Sequence, residues 1–355
     1  MIGMPEDIYT LHLFQNGQES TSGGGSSKEG FSHTYHDIIS LENLLLAWKE
    51  FVRGKKNKAD VQHFQLKLIE HIIELHEDLK KNKYRHGSYY AFNISDPKPR
   101  NIHKATVRDR LLHHALYRIL YPYFDTRFIF DSYSCRDGKG THKAMNRFRG
   151  FFYKVSKNNT HTAWVLKCDI RKFFASIDHP VLLEVLHKHI GDENTLWLLE
   201  RVIGSFDSGT EGKGLPLGNL TSQLLVNIYM NEFDQFVKHV LKMKYYIRYA
   251  DDFVILSENK LELEELIPKI QEFLQTKLKL TLHPDKLFIK TCSSGIDFLG
   301  WVHFPNHRVI RTVTKRRMFK KLSMSASEQT IASYVGLLQH GNAHKIQSQV
   351  RRLML

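Results

Sequence analysis

The stretch Tyr245-Tyr246-Ile247-Arg248-Tyr249-Ala250-Asp251-Asp252-Phe253-Val254-Ile255-Leu256 sets two adjacent carboxylates between two apolar, β-branched runs. Runs of this kind, interrupted briefly by polar residues, read as a hairpin with the diacid at its turn. Neighbouring carboxylates repel and dehydrate badly unless a divalent cation neutralises them, and all-oxygen ligation suits Mg²⁺ or Mn²⁺. The chemistry this indicates is metal-assisted phosphoryl transfer. An acidic loop between two surface strands would look the same over four residues, so the rest of the chain has to decide.

Upstream, Ala163-Trp164-Val165-Leu166-Lys167-Cys168-Asp169-Ile170 reads as an apolar strand that delivers an acid at its end, followed by Arg171-Lys172-Phe173-Phe174. Alone, Asp169 would fit a strand-end turn or a helix cap. Together with Asp251 it supplies acids from two separate strands, as two-metal nucleotidyl transfer requires. Asp178-His179-Pro180 marks a helix start, with Asp178 as cap and Pro180 in the first turn.

The whole chain supports a nucleic-acid partner. Its 51 Lys+Arg against 37 Asp+Glu give a formal charge of +14, which favours a polyanion. A membrane surface is the competing reading, but no apolar run is long enough to span a bilayer and Met1 to Asp7 lack the basic start of a signal peptide. A cytoplasmic protein with no membrane partner is expected. With 42% hydrophobic residues the chain can bury a substantial core. Cys135, Cys168 and Cys292 show no C-x-x-C spacing, so neither a disulfide framework nor a zinc site is indicated.

The segment from Gln15 to Gly30 is too polar and glycine-rich to pack and reads as a flexible tail. From Ser40 to Asn82 apolar residues recur at helical spacing, predicting two amphipathic helices separated by the basic turn Arg53 to Lys58. Tyr89 to Ile102, broken by Pro97 and Pro99, reads as extended, and Asp109 to Tyr121 as helical. The mixture predicts an α+β fold.

At this point the chain resembles the reverse transcriptases of bacterial retroelements, from about Leu41 to the C-terminus. The motifs stand in family order: Asp169-Ile170-Arg171-Lys172-Phe173-Phe174, then Gly214-Leu215-Pro216-Leu217-Gly218-Asn219-Leu220-Thr221-Ser222-Gln223, then Tyr249-Ala250-Asp251-Asp252, then Leu282-His283-Pro284-Asp285-Lys286, and lastly Phe298-Leu299-Gly300-Trp301. The resemblance implies a right-hand polymerase with a flexible tail over 1–34, fingers of helices and strands over 35–160, an antiparallel-sheet palm over 161–300 and a short helical thumb over 301–355.

It also implies roles for single residues. Asp169, Asp251 and Asp252 would be catalytic and, with Ile170, would form the site of two Mg²⁺ ions, Mn²⁺ being able to substitute. Phe174 would lie under the sugar of the incoming nucleotide and exclude a 2′-hydroxyl. Lys286 would donate a proton toward the departing pyrophosphate, although a solvated surface lysine fits the same residue. Arg100 would grip the triphosphate bidentately, with Lys98 and Lys104 behind it. Leu217, Gly218 and Gln223 would line the nucleotide site. Arg136, Lys139 and Lys143 would meet the template backbone, and Phe298, Leu299, Gly300 and Trp301 would hold the primer.

Most reverse transcriptases carry glutamine before the glycine of the second palm motif and proline after its serine, where this chain has Leu217 and Gln223. That departure resembles the enzymes of diversity-generating retroelements, which misincorporate opposite template adenines. An apolar Leu217 cannot hydrogen-bond the incoming nucleotide, so correct and incorrect pairs differ less in transition-state binding. The implied partners are template RNA, primer or cDNA, dNTPs and a small basic accessory variability protein, in a bacterial, archaeal or phage-encoded system. Val302 to Leu355, with the basic cluster Arg308 to Lys321, is expected to form a thumb tracking the duplex, leaving no room for ribonuclease H, a maturase region or an endonuclease. A retron, intron-derived or antiphage-defence reverse transcriptase, or a catalytically inactive RNA-binding scaffold, would share many of these features.

Overall fold

The computed structural model describes residues 30–95, 99–324 and 327–352. Most of the expected tail, residues 1–29, lies outside the described residues, as does Lys98.

The fold opens with α1 (Tyr35–Ile39), α2 (Leu41–Phe51), α3 (Ala59–Leu66) and α4 (Leu68–Lys80). Ser40 starts α2 by accepting the Asn43 amide at 3.1 Å, a side-chain cap for an otherwise orphaned donor. Apolar spacing predicted two helices between Ser40 and Asn82, and the second is instead split at Lys67 (φ −122°, ψ 37°). The break is silent in the sequence because Leu66, Leu68 and Ile69 continue the apolar run across it while Leu66 is 83% exposed.

The extended segment forms a hairpin of β1 (Tyr90–Ile94) and β2 (Arg100–Lys104), paired from Tyr90↔Lys104 to Ile94↔Arg100. Then come α5 (Val107–Asp125), capped by Thr106, and α6 (Thr141–Val155). β3 (Trp164–Asp169), α7 (Phe173–Ser176), α8 (His179–His187), α9 (Glu193–Ile203) and α10 (Leu220–Gln235) follow. Asp178 caps α8 through the Val181 amide, with Pro180 in the first turn, as the sequence predicted. The diacid hairpin is β4 (Tyr246–Tyr249) and β5 (Asp252–Ser257), succeeded by α11 (Lys260–Lys277) and β6 (Phe288–Thr291). The chain continues through β7 (Ile296–Phe298), β8 (Trp301–His303), β9 (Arg308–Ile310), α12 (Thr312–Met324), α13 (Glu328–Leu338) and α14 (His344–Arg351).

An antiparallel sheet in the order β4-β5-β3-β6 stands at the centre. Strand period 2 divides its faces. Leu166, Cys168, Tyr246, Phe253 and Ile255 enter the large core shared with α2, α5, α10 and α11. Val165, Ile247, Tyr249, Val254 and Leu256 pack against Phe148, Phe151 and Phe152 of α6. Each such fully buried side chain contributes about 1.5–3 kcal/mol.

The sheet β7-β8-β9 straddles residue 300, so the expected palm–thumb boundary there divides a hairpin. The C-terminal helices begin at Thr312 and pack their own small core around Met318, Leu322, Ile331 and Val350 together with Trp301 and Ile310. Among the described residues no helix is long and apolar enough to cross a membrane.

Candidate active site

Backbone pairing alone brings the three acids together. β3 and β5 are in register with Asp169 opposite Asp252, while β4 and β5 close with Tyr249 opposite Asp252. Ala250-Asp251 is therefore a two-residue turn. Ala250 carries φ +56°, a conformation such turns usually give to glycine, and for alanine it costs about 1–3 kcal/mol that the surroundings must offset. The Ile170 amide donates to the Asp251 carbonyl at 3.2 Å, locking the turn against the end of β3. The Ile170 side chain is buried, so only its carbonyl could serve an ion.

The acids are under-compensated. Lys286 Nζ donates to Asp169 Oδ1 at 2.8 Å, and Lys167 Nζ lies 3.3 Å from Asp252 Oδ2. Asp252 Oδ1 is buried without a hydrogen-bond partner. Burial, and behind it the Asp251 and Asp169 charges, push the Asp252 carboxyl up to about 7 against the pull of Lys167. Burial and the Asp169 charge also raise Asp251, opposed by Lys286 and Arg100. An orphaned carboxylate oxygen beside two like charges fits the binding of a divalent cation. Among the described residues no three His, Cys, Asp or Glu side chains enclose a point by themselves.

Behind the turn, Arg248 is fully buried and uses its guanidinium completely. It grips Asp234 of α10 bidentately at 2.8 and 2.6 Å and donates to Asn227 Oδ1, Ser132 Oγ and the Ala250 carbonyl. Tyr246 adds its hydroxyl to Asp234 at 2.7 Å. Sequence reasoning missed both this pair and Lys167. The available signal was charge at core positions: Arg248 and Lys167 lie inside otherwise apolar strands, and Asp234 follows Phe233.

The segment Gly214 to Gln223 docks on the β1–β2 hairpin. The His103 amide donates to the Leu217 carbonyl at 3.0 Å, and Asn219 Nδ2 to the His103 carbonyl at 2.8 Å. Gly218 has φ +102°, and a Cβ there would stand 2.8 Å from Ile102 Cγ2, so backbone approaches hairpin only because a side chain is missing. The Leu215 amide bonds the Phe174 carbonyl at 2.8 Å. Phe173 is buried and Phe174 only half-buried. Gln223 is half-buried in the first turn of α10. Arg100 is held below the usual guanidinium range by burial, and the Asp251 charge opposes that shift, which places Arg100 within electrostatic reach of the acids. Backbone hydrogen bonds thus tie Phe174 to Leu215 and Leu217 to the hairpin that carries Arg100, and Arg100 alone of these is coupled to Asp251.

Other expectations are corrected. Lys104 turns away to Asp60 at 2.7 Å, beside Arg110, because its place at the end of β2 faces α3. Arg136 has a side chain only 5% exposed and bonds Asp125 and the Ile129 and Ser132 carbonyls, so it braces a loop and cannot reach a template. Lys139 donates to the Phe130 carbonyl at 2.8 Å and covers the Phe130 ring, whereas Lys143 is exposed and bonds Gly138. Phe298 and Trp301 are core residues. They pair across β7–β8 and leave the turn Leu299-Gly300 (φ +52° and +87°) as the half-buried part of this motif.

The family described as "Reverse transcriptase (RNA-dependent DNA polymerase)" matches residues 80–303. Similar proteins include Protein YkfC of Escherichia coli (strain K12), 26% identical over 284 residues that cover 69% of this chain and 72% of that protein. Group II intron-encoded protein LtrA of Lactococcus lactis subsp. cremoris is 23% identical over 335 residues, covering 72% of this chain and 54% of that protein. This chain therefore spans about half the length of LtrA. A solved structure of apo telomerase from Candida tropicalis, truncated from the C-terminal domain, aligns with a TM-score of 0.47 and 13% identity, covering 68% of this chain and 60% of that one.

Proposed function

The chain belongs to the reverse transcriptase family of RNA-dependent DNA polymerases, and on that premise we propose that it is the error-prone polymerase of a diversity-generating retroelement. In this role it copies a template RNA into cDNA, misincorporates opposite adenines, and acts in the cytoplasm with a small basic accessory protein. The observation that carries the reading is Leu217. Its carbonyl is tied to His103 of the hairpin that bears Arg100, and no polar side chain stands at this position to hydrogen-bond an incoming nucleotide. A shared polar check on correct and incorrect pairs is absent there.

The residues divide the work of polymerisation. Asp169, Asp251 and Asp252, with the Ile170 carbonyl, would hold the Mg²⁺ ions. Bound there, they supply Lewis acidity toward the primer hydroxyl and the pyrophosphate oxygens. Arg100 binds the triphosphate, Phe174 supports and screens the sugar, and Lys286, released from Asp169, protonates the leaving pyrophosphate. Gly218 and Gln223 line the nucleotide side, while Lys139, Lys143 and the Leu299-Gly300 turn follow template and primer.

An intron-type polymerase is the second reading, favoured by the similarity to LtrA. Primer extension on a heteropolymeric RNA with Mg²⁺, followed by cDNA sequencing, separates the two. Product lost in Asp251→Asn and carrying errors concentrated at template adenines supports the mutagenic polymerase. Accurate product favours the intron-type reading, and a wild-type protein that makes no product even with neighbouring gene products and their RNA rejects both.

A further inference from the structure

Between α6, the β8–β9 connection and the turn joining α13 to α14 lies a cavity of about 430 Å³. It is remote from the acids. Cys292 on its wall follows Thr291, which pairs with Trp164 at the opposite end of β3 from Asp169. The five residue steps of strand between Trp164 and Asp169 span about 16 Å.

The chemistry of this cavity is one-sided. Arg149 and Arg308 line it with His307 and His344, and no carboxylate does. Arg308 is anchored by the His340 carbonyl and by Asn146 Oδ1, and Arg149 lies over the Tyr153 ring. Among the described residues neither has an acidic partner. Burial and then the Arg149 charge hold the Arg308 guanidinium below its usual range, so two cations share a partly desolvated space without a counter-ion. Helix α14 begins at the same wall. Its N-cap, Ala343, offers no side-chain cap, leaving the first amides and the positive end of the helix dipole open to an anion. Phe152 and Phe304 add apolar surface, the latter stacked on His307 at 4.9 Å and 14°. Aromatic faces of this kind accept nucleobases without regard to sequence, and the volume is in the range of small-ligand sites.

We propose that this cavity binds a phosphate-bearing nucleotide, its phosphate between Arg149, Arg308 and the start of α14 and its base against Phe152 and Phe304. The nucleotide is either free or one residue of an RNA strand.

Two probes distinguish these sources: 5′-AMP, and a short single-stranded RNA without primer, each titrated into the intact protein in EDTA at low salt. Arg149→Glu is the decisive variant, because Arg149 is exposed and its replacement should not disturb folding. Arg308→Gln is its companion, read where the thermal midpoint is unchanged. Exposed Lys277 of α11 supplies a control, Lys277→Glu, with the same change in net charge. AMP affinity that falls about tenfold or more in Arg149→Glu but not in Lys277→Glu supports a free nucleotide. An equivalent fall for RNA without AMP binding supports an RNA residue. Equal losses in both variants, no loss in Arg149→Glu, or no binding of either probe to the unmodified protein would overturn the proposal. No polymerisation enters these measurements, so failure of primer extension and failure of this site are read separately.

Discussion

Arg248 and Asp234 form a bidentate ion pair in which neither side chain is exposed, and the same guanidinium holds the carbonyl of Ala250. The pair therefore couples α10 to the strained turn that carries Asp251. Removing one partner leaves a buried charge, at a cost of about 3–5 kcal/mol. Arg248→Met should lower urea stability by that amount, while Arg248→Met with Asp234→Leu should recover much of the loss without restoring primer extension. A single variant within about 1 kcal/mol of the parent would contradict this account.

Lys286 holds Asp169 across 2.8 Å, yet its side chain is 44% exposed. Solvent screening limits the pair to at most about 1 kcal/mol of stability. A proton donor at this point is worth far more to catalysis, on the order of a hundredfold. Lys286→Met is expected to keep its unfolding midpoint and to lose turnover by about that factor. Unchanged single-turnover rates would remove Lys286 from the chemistry.

Burial, and behind it the Asp251 and Asp169 charges, push the Asp252 carboxyl up to about 7 from an ordinary 3.8. Its folded pKa is raised, so its contribution to stability is fully present below about 3.8 and is lost as pH rises through about 7. A divalent cation competes with that proton. The increase in thermal midpoint produced by Mg²⁺ should therefore grow from pH 6 to pH 8, and Asp252→Asn should flatten the trend. A pH-independent Mg²⁺ shift in the parent protein would refute it.

Leu217 is half-buried beside the β1–β2 hairpin. Leu217→Gln adds the missing polar contact, and one contact worth about 1.4 kcal/mol changes discrimination tenfold. Errors at template adenines should fall by about that factor with errors elsewhere little changed. An unaltered error spectrum would sink the proposed origin of infidelity.

Gly341 lies against Trp301, where an added Cβ would stand 2.6 Å from Cη2 and 2.7 Å from Cε3 of the ring. The ring is buried in the core that joins the C-terminal helices to β8. Gly341→Ala should cost about 1–3 kcal/mol by overpacking. Gly336→Ala, with nothing within 4 Å, provides the matched control, and equal midpoints for both would argue against the contact.

The clustering of the three acids, the diacid hairpin, the cap at Asp178 and the α+β class were legible because each rests on local chemistry. Strand alternation, a turn-borne diacid and a side-chain cap are properties of a few consecutive residues. The split at Lys67 was hidden, since apolar spacing runs through it, and so was the use of each cation. Family resemblance assigned Lys104 to the triphosphate, Arg136 to the template backbone and Lys286 to the leaving pyrophosphate. Tertiary structure sends Lys104 to Asp60, buries Arg136 in a loop, and sets Lys286 on Asp169. Likewise Phe298 and Trp301 belong to a family motif by order but to the core by packing. A cation's partner is fixed by the packing of other elements, at a sequence separation of 11 residues for Arg136 and Asp125 and of 117 for Lys286 and Asp169. Sequence alone therefore determined which chemistry this chain carries, and only the packing of remote elements decided which charges remain available to perform it.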